Sequence, residues 1–483
     1  MRRGFLWSLL SNATLRLGTL VTGILLARIM SPADFGVYAI ALTVQTILMT
    51  MSELGLAADL VRNGDIEHRG PTTATLALAA SSFLTAAMWF SAVPVATALG
   101  SADAASVIRV MSITLLLAGI GVVPYARLQR NLMQGRLFAI DVVSFVITTG
   151  LTVVLALLGW GPMSLAVGRV VAQVVAVCLQ FTWTHERPRF GWHVDVARSG
   201  LRFGFPLACA GLLAWTLLSL DNVMIGRFAG AQTLGLYVLA FNISSWPTTV
   251  VGTAVKAVAM PAFAQRAEST GRPDIEGLHQ STALTWTVAV PIGLALAVLA
   301  RPVIEVVYGA RWIPAAAALG GLGMFGALRV VFDLWIAYLT AAGRAATLVW
   351  TQVAWIVTLG PLMWLAITRH GLAGAGWSHI IVAAGFMLPL YLFAMSRAGV
   401  PVKGLAAQLV VPLLAAVPAG AAGWAVRGLP GGPWARLVVG GLVVVGVYAL
   451  AVWPWLRRQP ILANRALQPP RVRLRARTPQ GEA

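Results

Sequence analysis

The sequence predicts an all-α, polytopic membrane protein, and three observations predict it. Hydrophobic residues make up 58% of the 483-residue chain and charged residues only 11%, whereas soluble proteins carry about 25%. Apolar runs close to the length that spans a bilayer recur along the whole chain. Lys and Arg concentrate in alternate connections between those runs. The runs are too long for barrel strands and lack their alternation.

The runs place fourteen helices, at about 5–27, 35–60, 73–99, 104–126, 138–158, 162–184, 202–226, 234–262, 280–300, 314–340, 346–368, 372–396, 404–426 and 436–456. The opening MRRGFLWSLLSNATLRLGTL has the basic head and apolar stretch of a signal peptide. Arg16 interrupts that run, however, and the apolar stretch continues to Leu26, so it reads as an uncleaved first helix. Cys178 and Cys209 lie in apolar runs and read as packed small side chains rather than a disulfide or metal site.

The net charge of +19 follows topology rather than a nucleic-acid footprint. With a cytoplasmic N-terminus, 23 of the 35 Lys and Arg fall in inner connections and the C-terminal tail, and 7 in outer ones. That asymmetry predicts both termini inside, and it points to membrane lipids rather than nucleic acid as the partner of the basic charge. The tail, 457–483, is rich in Pro and Arg and reads as disordered and cytoplasmic.

An internal repeat organises the rest. LLARIMSPADFGVYAIA, from Leu25, returns 199 residues later as MIGRFAGAQTLGLYVLA. Arg28 falls on Arg227, Gly36 on Gly235, Tyr38 on Tyr237 and Ala41 on Ala240. QGR, ending at Arg136, is echoed by AGR, ending at Arg344. Six helices separate the copies, an even number, which predicts two lobes in the same orientation about an axis along the membrane normal. The expected organisation is an N-lobe at 1–199, a C-lobe at 200–400, two further helices at 401–456 and the tail. In this reading Gly36 and Gly235 permit tight outer turns. Tyr38 and Tyr237 sit at the interface, and Arg28 and Arg227 anchor helix ends at the head groups. Two parallel lobes around a cleft imply alternating access.

Several stretches resemble one family. ILLARIMSPADFGVYAIAL followed by SELGLAADLVRN is similar to the N-terminal signature of Wzx-type polysaccharide flippases, in the superfamily shared with MATE drug exporters and lipid II flippases. PYARLQRNLMQGRLFAID resembles that family's fourth-loop motif. GFPL, LDNVMIGRFAGAQTLGLYVLAFNISSWP and VAMPAFAQ resemble its span 7–8 segment. The resemblance covers roughly residues 1–400. It implies an inner-membrane transporter that moves a polyprenyl-pyrophosphate-linked oligosaccharide outward for surface polysaccharide synthesis. It also implies a cleft lined by spans 1, 2, 7 and 8, with a polysaccharide polymerase or export machinery as possible partners. A lipid II flippase and an ion-coupled drug exporter of the MATE type are the alternatives.

Ionisable groups inside spans are costly and mark functional candidates. Arg16 in span 1 and Lys256 in span 8 are candidate ligands of a pyrophosphate, because an anion buried in a cleft needs cations. Arg329 is a candidate sugar contact. It is spaced i, i+4 from Asp333, which also allows a structural pair. Asp221 in span 7 and Glu53 in span 2 are candidates for coupling to H⁺ or Na⁺. Asp59 reads as a salt bridge to Arg62, and Arg109 and Arg169 as arginines that snorkel outward. No HExxH, GxSxG, Walker A or CxxC pattern is present. Neither an enzyme nor a resident cofactor or metal is expected.

Overall fold

The computed structural model describes residues 18–52, 55–252, 274–428 and 430–458. Every regular element among them is helical. Eleven helical segments are long and apolar enough to cross a membrane, and the chain is a multi-pass membrane protein. Close packing divides it into two compact units.

The first unit comprises 1–244, 300–322 and 352–386. Its helices are α1 (Gly18–Ile29), α2 (Pro32–Ser52), α3 (Leu56–Asn63), α4 (Ile66–Phe90), α5 (Ala92–Ala98), α6 (Ala104–Arg130), α7 (Gln134–Leu157), α8 (Pro162–Thr184), α9 (Val194–Leu218), α10 (Leu220–Ser244) and α11 (Ala300–Val307). The helix at the centre is α6, which packs against α2, α4 and α8. Small residues allow these approaches, as expected where helix association rests on van der Waals contact rather than on a hydrophobic driving force. A Cβ at Gly119 of α6 would meet Ser81 and the Ala77 carbonyl of α4. Leu56, Leu60, Ala77, Val122 and Ala126 form one core cluster here.

The second unit comprises 245–299, 323–351 and 387–483. Its centre is the helix Ile275–Val298, which packs against Val402–Val426 and Pro433–Leu456. Buried indoles find backbone or hydroxyl partners, as apolar surroundings require. Trp286 Nε1 donates to the Leu409 carbonyl at 2.9 Å and Trp335 Nε1 to Thr282 Oγ1 at 3.1 Å.

Several expected spans are divided. The expected helix at 35–60 falls on α2 and α3, and Gly55, with φ 62°, caps the start of α3. The expected 73–99 is α4 followed by the short α5. The expected 202–226 begins earlier, at Val194, and runs as α9 into α10, which carries a break at Gly230. The expected spans at 346–368 and 372–396 lie on one apolar segment, Thr347–Arg397, broken at Gly371 and by a π turn at Ala383–Met387. Within the first unit α2 packs along α10, so the two copies of the repeat share that unit.

Candidate functional site at the paired turns

Each copy of the repeat bends the chain between two helices, by different chemistry. In the first, Ser31 and Asp34 form a reciprocal cap. Ser31 Oγ donates to Asp34 Oδ2 at 2.7 Å, the Ser31 amide donates to the same oxygen at 2.9 Å, and the Asp34 amide donates to Ser31 Oγ at 3.2 Å. Pro32 opens α2, where its missing N–H costs nothing. In the second copy, position 230 takes φ 79°, ψ 170°, a backbone conformation open to glycine and little else. Ser31 and Gly230 are themselves 199 residues apart.

The repeated glycines lie inside helices, not in the turns expected for them. Gly36 and Gly235 are both buried, in α2 and α10. A Cβ at Gly36 would collide with the Ala231 carbonyl, and a Cβ at Gly235 with the Pro32 carbonyl. Pro32 and Ala231 are again 199 apart. The contact is therefore reciprocal: each copy's glycine admits the other copy's first helical carbonyl. This is the signature of a local two-fold axis, and it explains why only glycine fits both places.

The turns are also clasped. Arg28 donates to the carbonyls of Val306 and Val307, the latter at 3.0 Å. Arg311 donates to the Ile29 and Met30 carbonyls at 3.3 and 3.2 Å. The fully buried Trp312 donates to the Ala27 carbonyl at 2.6 Å and meets Phe35 edge to face. Burial pushes the neighbouring Tyr308 hydroxyl up to about 12. On the other copy, Gly100, just past α5, meets the Gly226 carbonyl of α10. Gly226 is Ala27 plus 199.

Two residues beyond the crossing glycines, each copy carries a tyrosine near an ionisable side chain, Tyr237 buried and Tyr38 half-buried. Tyr237 is fully buried, with its hydroxyl 2.8 Å from Asp221 Oδ2 and 2.7 Å from His379 Nε2. Asp221 and His379 are also buried. A phenol carries one proton, so it donates to one of these partners and accepts from the other. The arrangement can relay a proton between carboxylate and imidazole. On the first copy, Arg169 lies near enough to the Tyr38 hydroxyl to act on it electrostatically. The helix bearing Arg169 starts after Gly161, with φ 52°, ψ −133°. The helix bearing His379 restarts after Gly371, with φ 54°, ψ −133°. Arg169 and His379 each lie eight residues past the equivalent glycine. The repeat thus places arginine in one copy and histidine in the other.

The structure brings together Gly36, Gly235, Tyr237 and Asp221, and places Arg28 at a helix end. Tyr237 has protein partners at its hydroxyl. Arg227 is exposed on α10. Asp59 pairs with Arg69 at 2.6 Å, not with Arg62. The reason is the turn at Gly64, which carries the chain back and puts Arg69 beside Asp59. Arg329 and Asp333 are half-buried on one helix but form no ion pair with each other among the described residues. An i, i+4 spacing permits such a pair and contributes only about 0.3–0.5 kcal/mol, too little to enforce it. Arg16, Glu53 and Lys256 lie outside the described residues. Sequence reasoning missed His379 and took Arg169 as a snorkelling group. Extending the repeat to Gly161 and Gly371 finds both.

Comparison with known proteins agrees with this architecture. The chain is 29% identical over 379 residues to the succinoglycan biosynthesis transport protein ExoT of Rhizobium meliloti (strain 1021), covering 78% of this chain and 76% of that one. It is 24% identical over 331 residues to the lipopolysaccharide biosynthesis protein WzxC of Escherichia coli (strain K12), covering 68% and 67%. Among solved structures, the lipid II flippase MurJ in an inward closed conformation superposes with a TM-score of 0.74 at 13% identity, covering 94% of this chain and 99% of that one, which shows the shared fold. Residues 25–317, a segment that includes both copies of the repeat, match the polysaccharide biosynthesis protein family, and the chain belongs to that family.

Proposed function

We propose that this chain is an inner-membrane flippase that carries a polyprenyl-pyrophosphate-linked oligosaccharide to the outer leaflet for surface polysaccharide synthesis. The observation that carries the reading is the reciprocal crossing of α2 and α10 at Gly36 and Gly235. At its closest point it joins the two copies of the repeat through small residues and backbone, a contact that can open and close in each cycle. The basic connections lie at the opposite helix ends, so the positive-inside rule puts this crossing at the outer face. In this reading it is the outer gate of an alternating-access carrier, and the bound cargo separates it.

Arg16 and Lys256 are the proposed pyrophosphate ligands and Arg329 a sugar contact. The chain's own chemistry is non-covalent: it binds, shields and releases. Asp221 is the proposed coupling residue, with Tyr237 linking it to His379 and Glu53 as a second carboxylate. A proton is the coupling ion this arrangement favours, because a phenol between carboxylate and imidazole passes protons rather than caging a metal ion.

The test is the sidedness of lipid-linked oligosaccharide in a strain lacking the gene, read by lectin access in intact spheroplasts and in lysed membranes. Oligosaccharide hidden on the inner leaflet, relieved by the wild-type gene and not by an Arg16→Ala copy, is the expected result. Normal outward exposure in the deletion strain would overturn the reading. Arrested lipid II instead would assign the chain to peptidoglycan precursor export.

A further inference from the structure

In the first unit, α4, α6, α8 and the segment 185–190 line a partly open cleft, away from the paired turns. Its inner wall is apolar, built from Leu78, Ile120, Phe181, Ala74 and Val123. Its mouth is charged. Arg127, near the end of α6, pairs with Glu67 at 2.6 Å and Glu186 at 2.5 Å. Arg187 and Arg189 also line the mouth; both are exposed, and neither forms an ion pair among the described residues. The two glutamates offset two of the three arginines, which leaves one positive charge in excess.

The wall is open to its surroundings, since Ile120 is 38% exposed. Ile120 lies seven residues before Arg127, about 10 Å deeper at the helical rise. Phe190 and Trp192 stand exposed at the rim, where aromatic rings mark the boundary between head groups and hydrocarbon. The rim also belongs to the arginine-rich ends of these helices.

We propose that this cavity binds one monoanionic glycerophospholipid, with its phosphate against Arg187 and Arg189 and an acyl chain along Leu78, Ile120 and Phe181. A free phosphate has no use for the apolar wall. A pyrophosphate carries more negative charge than the single excess cation matches. A zwitterionic lipid brings its own cation to a mouth that already has one too many. The site differs from the proposed pyrophosphate ligands Arg16 and Lys256, and it stands whether or not the chain is a flippase.

The test uses the purified full chain in detergent with a photoactivatable phosphatidylglycerol whose diazirine sits in the acyl chain. A phosphatidylcholine analogue with the same chain is the comparison. Labelling by phosphatidylglycerol should map to peptides of α4, α6 and α8 around Leu78, Ile120 and Phe181. Arg187→Gln with Arg189→Gln should cut it on the order of tenfold, the scale of two basic contacts to a lipid phosphate. Ala74→Phe should cut it by filling the wall. Unchanged thermal melting of both variants shows that the fold survives. Equal labelling by the two lipids, labels elsewhere, or no loss in the double variant would overturn the proposal. So would displacement by undecaprenyl phosphate at far lower concentration than by phosphatidylglycerol, which would make the cavity a port for the carrier lipid.

Discussion

Tyr38 and Tyr237 occupy equivalent places in the repeat, yet one lies near Arg169 and the other lies between Asp221 and His379. The backbone beneath them has hardly diverged. Gly36 and Gly235 admit each other's helix, and the helices bearing Arg169 and His379 follow glycines with almost the same φ and ψ. Only the ionisable partners differ. An arginine stays charged across the whole physiological range, whereas a histidine changes charge within it. The position equivalent to Asp221, 199 residues earlier, is Thr22. The comparison teaches that the repeat preserves a scaffold, while one copy alone places a carboxylate and an imidazole on its tyrosine.

The largest effect expected is at the shared scaffold. Gly36→Val or Gly235→Val places a branched side chain against a backbone carbonyl that cannot rotate away. Export should fall to the level of the deletion strain, checked by lectin access, with membrane insertion measured on the same samples. Near-normal export from either variant would break the symmetry argument.

Next come the partners that differ. Asp221→Asn should lower export roughly tenfold or more, equivalent to about 1.4 kcal/mol or more on the limiting step. His379→Gln, which removes the imidazole partner of the Tyr237 hydroxyl, should lower export by a similar factor. The reciprocal change, Arg169→His, should leave export within about threefold of the parent, a shift below 1 kcal/mol. Equal losses at both positions would mean that the two copies do the same work and would sharpen the comparison against a dedicated coupling side.

The smallest effects belong to the clasp. Trp312→Phe leaves the buried Ala27 carbonyl without its indole donor and should cost about 1–3 kcal/mol of stability, read as a lower melting temperature with export per molecule preserved. Arg28→Ala should mainly reduce the yield of folded protein.

Much of this fold is legible in the sequence because membrane spans are written in hydropathy, which needs no partner to be read. The repeat at Arg28 and Arg227 is equally visible. The glycines were legible as residues but not in role, because a turn and a close helix crossing ask the same thing of a side chain, namely that it be absent. Only the position of Ala231 opposite Gly36 tells them apart. The partnership of Asp221 with His379 was hidden for another reason: 158 residues separate them, and the spacing of the repeat changes from 199 at Gly36 to 210 at Gly161, so a fixed offset loses the match. Asp59 finding Arg69 rather than Arg62 turns on the left-handed Gly64 that folds the chain back.

The most direct test of the central claim is to lock the crossing and measure export. Ala33 and Gln232 are exposed and 199 residues apart, one on each copy. Cysteines at these two positions, with Cys178→Ser and Cys209→Ala to remove the native thiols, can be joined by a short reducible cross-linker and assayed for outward exposure of lipid-linked oligosaccharide. The account predicts no export while the link is intact and recovery to the level of the unlinked protein after reduction. Full export with the link in place would show that α2 and α10 never part, and the crossing would then be a static brace rather than a gate.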